Sequence, residues 1–276
     1  MIANFVSLVV PDIPLGVIMA LLAVALPGAA YLGHSAGQRR RDAAHEESRE
    51  TLARSGETTV GAILALLGLL LAFSFGNALS WAEARKAVIL EEANALGTAF
   101  LRADVLPEPG RTELKGALLD YAQTRLLPPG RLSDGGMTEA LEATLAAQAR
   151  LWPMTMDVTE PPIPSPMRSF VSGSINDVID VHSERLASLN RPEVELVWIM
   201  LVAAAVTGLF LVGNRSGLQG RPLTWRTFLF AGFLWIVMVT IGDLQRGTEG
   251  VIRTNDGFLR ATILSMQADL DGPDPG

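Results

Sequence analysis

Apolar and charged positions are sorted into blocks along this chain. No charged residue lies between Asp12 and Arg39, between Glu57 and Glu83, between Glu195 and Arg215, or between Arg226 and Asp243. A bilayer core takes about 20 helical residues at ~1.5 Å each. The first three gaps meet that length. The fourth, TFLFAGFLWIVMVTIG, is shorter and needs Trp225 at the interface with Arg226 snorkelling outward. The blocks predict an all-α, multi-pass membrane protein with four spans. A secretory signal is the alternative for the first block, but residues 1–11 lack Lys and Arg and the apolar run exceeds a usual signal core. Pro27 should kink the first span or mark its last turns.

Between the spans the pattern changes twice. Residues 34–58 mix both charge signs and read as a solvated helical connector between spans one and two, all within 1–82. Arg39, Arg40 and Arg41 suit anionic lipid headgroups, yet the following acids nearly cancel them. Residues 83–193 are the sizeable soluble region, and their periodicity is helical, with no period-2 strand. Helices are expected over about 111–127 on Leu114, Leu118, Tyr121 and Leu126, over about 138–152, and over about 167–189 after a Ser165–Pro166 start. The Pro-rich stretch 153–167 reads as irregular, and Gly135–Gly136 as a turn. Spans three and four occupy 194–243. The tail 244–276 is amphipathic, with Phe258, Leu259, Ile263 and Met266 spaced to dock on the soluble helices.

The second block does not stop where its apolar run stops. LAFSFGNALSWAEARKAVILEEANALGTAFLRADVL, residues 71–106, passes Trp81 and runs through Arg85, Lys86 and paired Glu without a Pro. That is the pattern of a helix leaving lipid for water, and it makes the soluble region a stalk extending the second span. Steps of three and four from Asn77 give Asn77, Ser80, Ala84, Ala87, Glu91, Asn94 and Thr98, a small and polar stripe. The opposite stripe, Leu79, Ala82, Ile89, Ala93, Leu96 and Phe100, suits packing. Two readings fit the polar stripe: the lining of an aqueous path in a homo-oligomer, or the solvated face of a stalk. Glu83 and Lys86 are spaced as a surface helix pair.

Composition agrees and narrows the chemistry. Half of the chain is hydrophobic and 18% is charged, outside the range of an ordinary soluble domain. A net charge of −7 argues against nucleic acid as a partner. Without cysteine there are no disulfides or thiolate sites. His34, His45 and His182 form no metal-ligand spacing, Walker and Gly-x-Gly-x-x-Gly signatures are missing, and no cofactor or enzymatic activity is expected. Asp177, Asp180 and Glu184 share a helix face that could take a cation but reads more simply as solvated. Trp81, Trp198 and Trp225 fit interfacial anchors, and Trp152 and Trp235 fit packing positions.

Residues 71–107 resemble the hallmark region of the bestrophin-like family of four-span membrane proteins, in which a second span enters an Arg-containing segment around Trp81, Glu83 and Arg85, then Glu92-Ala93-Asn94 and Leu101-Arg102. NDVIDVHSERLASLNRPEVELVWIMLV is similar to the family's helix with a central Arg, here Arg185, leading into span three. IGDLQRGTEGVIRTNDGFLRATILSM is similar to its tail, with an Asp243-Leu-x-Arg turn. Resemblance to true bestrophins implies a pentameric channel for inorganic ions whose second helix lines the pore, and the polar stripe offers Asn77, Ser80, Ala84, Glu91 and Asn94 as the lining residues. A single Trp81 stands where bestrophins tend to have a pair, and no acidic cluster matches their calcium clasp. The expected location is a cell membrane, the inner one in a bacterium. Lys and Arg nearly balance on the two sides, with a slight excess at 34–58 and 214–226 that leans toward an exported soluble region. The resemblance places that region in the cytoplasm, so the side stays open.

Overall fold

The structure is a computed structural model and describes residues 14–46, 57–126, 134–189, 194–245 and 256–272. Among these there is no strand. In chain order the helices are α1 (Leu15–Ala43), α2 (Glu57–Arg102), α3 (Gly110–Thr124), α4 (Asp134–Val158), α5 (Ser165–Leu189), α6 (Val194–Leu218), α7 (Trp225–Gln245) and α8 (Gly257–Asp271), with a 3-10 turn at Ala103–Val105. Four of them, α1, α2, α6 and α7, are long and apolar enough to cross a membrane. The protein is an all-α membrane protein.

Helix α2 is one unbroken element of 46 residues, about 69 Å at 1.5 Å per residue. That is about twice the ~30 Å hydrocarbon core, so part of it must stand outside lipid. Its interior has no proline, and it ends where the 3-10 turn leads into Leu106 and Pro107.

The described chain divides into two compact units. The membrane unit holds residues 14–81 and 194–245, with a core of Leu22, Leu26, Ala30, Leu67, Leu201, Ala205, Leu209, Leu234 and Met238. Its closest packing is between α1 and α6, which run parallel: a Cβ on Gly33 would strike the Phe210 carbonyl, one on Gly37 the Asn214 carbonyl, one on Gly213 the Ala30 carbonyl and one on Gly217 the His34 carbonyl. The two sets of glycines four residues apart let the backbones touch, where Cα–H groups face carbonyl oxygens. Asn214 Nδ2 donates to the Gly33 carbonyl at 3.3 Å. Pro27 lies inside α1, which continues to Ala43, so it does not mark the last turns. In α7, Trp235 packs beside the core and donates its indole N–H to the Met19 carbonyl at 2.8 Å.

The helical unit holds residues 82–189 and 256–272. Leu114, Leu118 and Tyr121 of α3 are fully buried with Leu96 of α2, Leu151 of α4, Val171 and Ile175 of α5 and Leu259 of α8. Four local expectations are corrected here. Helix α4 begins at Asp134, taking in Gly135 and Gly136, and runs through Pro153 to Val158. Proline costs one backbone bond, but Leu151, Thr155 and Thr159 continue one fully buried face, and the Thr155 hydroxyl bonds the Leu151 carbonyl at 2.7 Å. Packing outweighs the local break. Trp152 is 39% exposed beside the buried Leu151, not a core residue. In α8, Leu259, Ile263 and Met266 are buried as expected, whereas Phe258 points outward.

Candidate functional site

The long helix α2 places the residues of interest on two opposite faces. Asn77, Ser80, Ala84, Ala87, Glu91, Asn94 and Thr98 are all exposed in the single chain. On the other face Ala78, Ala82, Arg85, Ile89, Glu92, Ala93, Leu96 and Phe100 are buried. Leu79, placed on the packing stripe from its spacing, is 42% exposed. Trp81 is half-buried and Glu83 exposed. Toward the start of α2, Gly61, Gly68 and Gly76 are exposed with nothing near where a Cβ would stand, and Leu66, Leu69 and Phe73 are exposed among them. This span is the least buried of the four.

The buried face carries a charged node in the helical unit. Glu92, 1% exposed, accepts from Arg125 Nε on one carboxylate oxygen and from Arg185 Nη1 on the other. Arg185 Nη2 also lies 3.8 Å from Asp256 at the start of α8. One carboxylate thereby ties α2, the end of α3 and α5. Beside it the Tyr121 hydroxyl meets His182 Nδ1 at 3.2 Å, one helical turn before Arg185. Burial, reinforced by the Arg125 guanidinium, pushes His182 down to about 4, so the imidazole is neutral at ordinary pH. Burial pushes Tyr121 up to about 12, so its hydroxyl keeps its proton at ordinary pH. His182 Nε2 is buried with no hydrogen-bond partner among the described residues. Burial also raises the Asp256 carboxyl, against the pull of Arg185.

A second tie joins α3 to α8. Lys115 pairs with Asp104 and with Asp269, the latter at 2.8 Å, and stands 4.6 Å from the centre of the Phe100 ring. Burial works to lower this ammonium, but the two carboxylates outweigh it and hold its pKa above the ordinary value.

Of the residues expected from motif resemblance, Glu92 and Arg185 are thus brought together. Arg102 acts elsewhere: its guanidinium covers the Phe170 ring at 4.4 Å and donates to the Phe170 carbonyl at 3.2 Å. Asp243 is buried in the membrane unit. Asp177, Asp180 and Glu184 are all exposed, the solvated face, and no metal-holding group of acids and histidines occurs among the described residues. An open groove of about 560 Å³ between α3 and α4 is lined by Asp120, Gln123, Thr124, Ala143, Ala147 and Arg150. It brings together one acid and one base, with no nucleophile beyond the Thr124 hydroxyl, which bonds the Tyr121 carbonyl.

Sequence reasoning missed Arg125, whose place beside Glu92 has no local signature. It also missed the glycine pairs, although Gly33–Gly37 and Gly213–Gly217 are spelled out at the spacing used for close helix contact. Sequence reasoning also passed over residues 33–37, Gly-His-Ser-Ala-Gly, which match the Gly-x-Ser-x-Gly spelling of a hydrolase elbow. That elbow needs a strand-to-helix turn. Here the five residues lie within α1, and the Ser35 hydroxyl bonds the Tyr31 carbonyl at 3.0 Å.

A family model described as Bestrophin-like domain matches residues 20–257. No curated protein and no solved structure matches the chain.

Proposed function

The chain belongs to the Bestrophin-like family, and from that membership we propose that it assembles as a homo-oligomer in a cell membrane and conducts inorganic ions along a path lined by α2. One observation carries the reading: a polar stripe from Asn77 to Thr98 stays exposed along a continuous helix whose opposite face is buried. Symmetric copies turning this stripe inward would line a wet path with Asn77, Ser80, Ala84, Glu91 and Asn94, and would repeat Glu91 as a ring of negative charge. Such rings act at close range in a narrow channel and bias which ions pass. The open glycines of the second span and its low burial fit close approach by another copy.

In the competing reading, a non-conducting scaffold or sensor whose stalk binds a partner, Glu91 is merely solvated. Native mass measurement and bilayer conductance on the same reconstituted sample separate the two. In a channel, Glu91→Gln shifts the cation-to-anion preference or conductance with the oligomer intact, and Asn77→Leu lowers flux by drying the path. Protein of confirmed oligomeric state that passes no current across voltage, pH and calcium leaves the scaffold standing.

A further inference from the structure

Because α1 and α6 run parallel and in register, both leave the apolar zone at the same end of the membrane unit. Arg39, Arg40 and Arg41 close α1, Arg215 stands in the last turn of α6, Arg221 lies in the connection to α7, and Arg226 opens α7. The connection is firmly built. Gly220 adopts a left-handed conformation, with φ 67°, and its N–H bonds the Gly217 carbonyl at 3.0 Å. The Arg221 N–H reaches the Ser216 carbonyl at 3.1 Å, and the Ser216 hydroxyl donates back to the Arg221 carbonyl at 3.1 Å. The Arg41 guanidinium lies directly over Gly220, where a Cβ would collide with it. Trp225 is 70% exposed with the Arg226 guanidinium 6.0 Å from its ring centre, and Phe228 and Leu229 continue the exposed apolar surface down α7.

Charge alone in the connector 34–58 balances, five arginines against five acids. What the fold adds is Arg215, Arg221 and Arg226, in a stretch with no acid between Glu195 and Asp243. These arginines sit at the ends of apolar spans, which is headgroup depth, and the anion concentrated there is lipid phosphate. Trp225, Phe228 and Leu229 offer an adjoining surface for acyl chains, which a soluble anion would not use. We propose that this end of the membrane unit, centred on Arg41, Arg221 and Arg226 beside Trp225, is a binding site for anionic phospholipid headgroups.

The test uses the full-length chain in mild detergent, titrated with phosphatidylglycerol or phosphatidylcholine and read by native mass spectrometry. Phosphatidylglycerol should be retained about tenfold or more in preference, and the preference should fade at high salt. Replacing the trio, Arg41→Gln with Arg221→Gln and Arg226→Gln, should weaken phosphatidylglycerol binding about 100-fold, from about fivefold per arginine, while three Lys replacements retain it. Equal retention of the two lipids by the unsubstituted chain overturns the proposal, as does full retention by a monodisperse Gln variant. Displacement of the lipid by millimolar inorganic phosphate would make the site one for a soluble anion and overturn the lipid assignment. Should the Gln variant fail to fold, the lipid preference and salt response of the unsubstituted chain decide.

Discussion

Glu91 and Glu92 are neighbours in sequence and opposites in structure: one is exposed, the other is 1% exposed between two guanidinium groups. Removing one member of a buried ionic cluster leaves its partners uncompensated, at a cost of about 3–5 kcal/mol. Glu92→Gln should therefore destabilise the helical unit by about that amount, while Glu91→Gln stays within about 0.5 kcal/mol of the parent. Denaturant unfolding followed by circular dichroism compares them, and equal losses would show that the node contributes little. At this scale the sequence was only half legible. The family pattern singled out Glu92 and Arg185, but the spacings that join Glu92 to Arg125 and Arg185 are 33 and 93 residues. A period of 3.6 carries no information over such separations.

Elements were the most legible level, because a span or a buried helix face repeats its signal many times. The uninterrupted course of α2 follows from the absence of proline between the apolar run and Pro107. Local preference misleads where one residue is set against many contacts, as at Pro153, or where glycine resembles a turn residue, as at Gly135 and Gly136. The glycines of α1 and α6 matter for their missing side chains instead. Gly213→Leu must push α6 away from the Ala30 carbonyl, an overpacking cost of about 3 kcal/mol. Gly232→Leu on α7 meets no neighbour and should be neutral. Thermal melts of the two variants in the same detergent check this, and a similar midpoint would mean the close α1–α6 packing is dispensable.

For the molecule as a whole, four spans dictate a simple sidedness. A chain without cysteine takes single introduced thiols cleanly. Cys in place of Glu139 and of Ser265 should label from one side of the membrane and Cys in place of Arg40 from the other. Labelling of all three from one face would remove a span from the count. The same chain order has a consequence for biosynthesis. Gly33 and its partner Gly213 are 180 positions apart, roughly ten to forty seconds of translation at 5–20 residues per second. Throughout that delay the first span sits in lipid with its glycine groove vacant, while the intervening helices are made. The tightest seam in the membrane unit is thus among the last to close, and the nascent chain is most open to mispairing or to an insertase holding that groove just before the third span arrives.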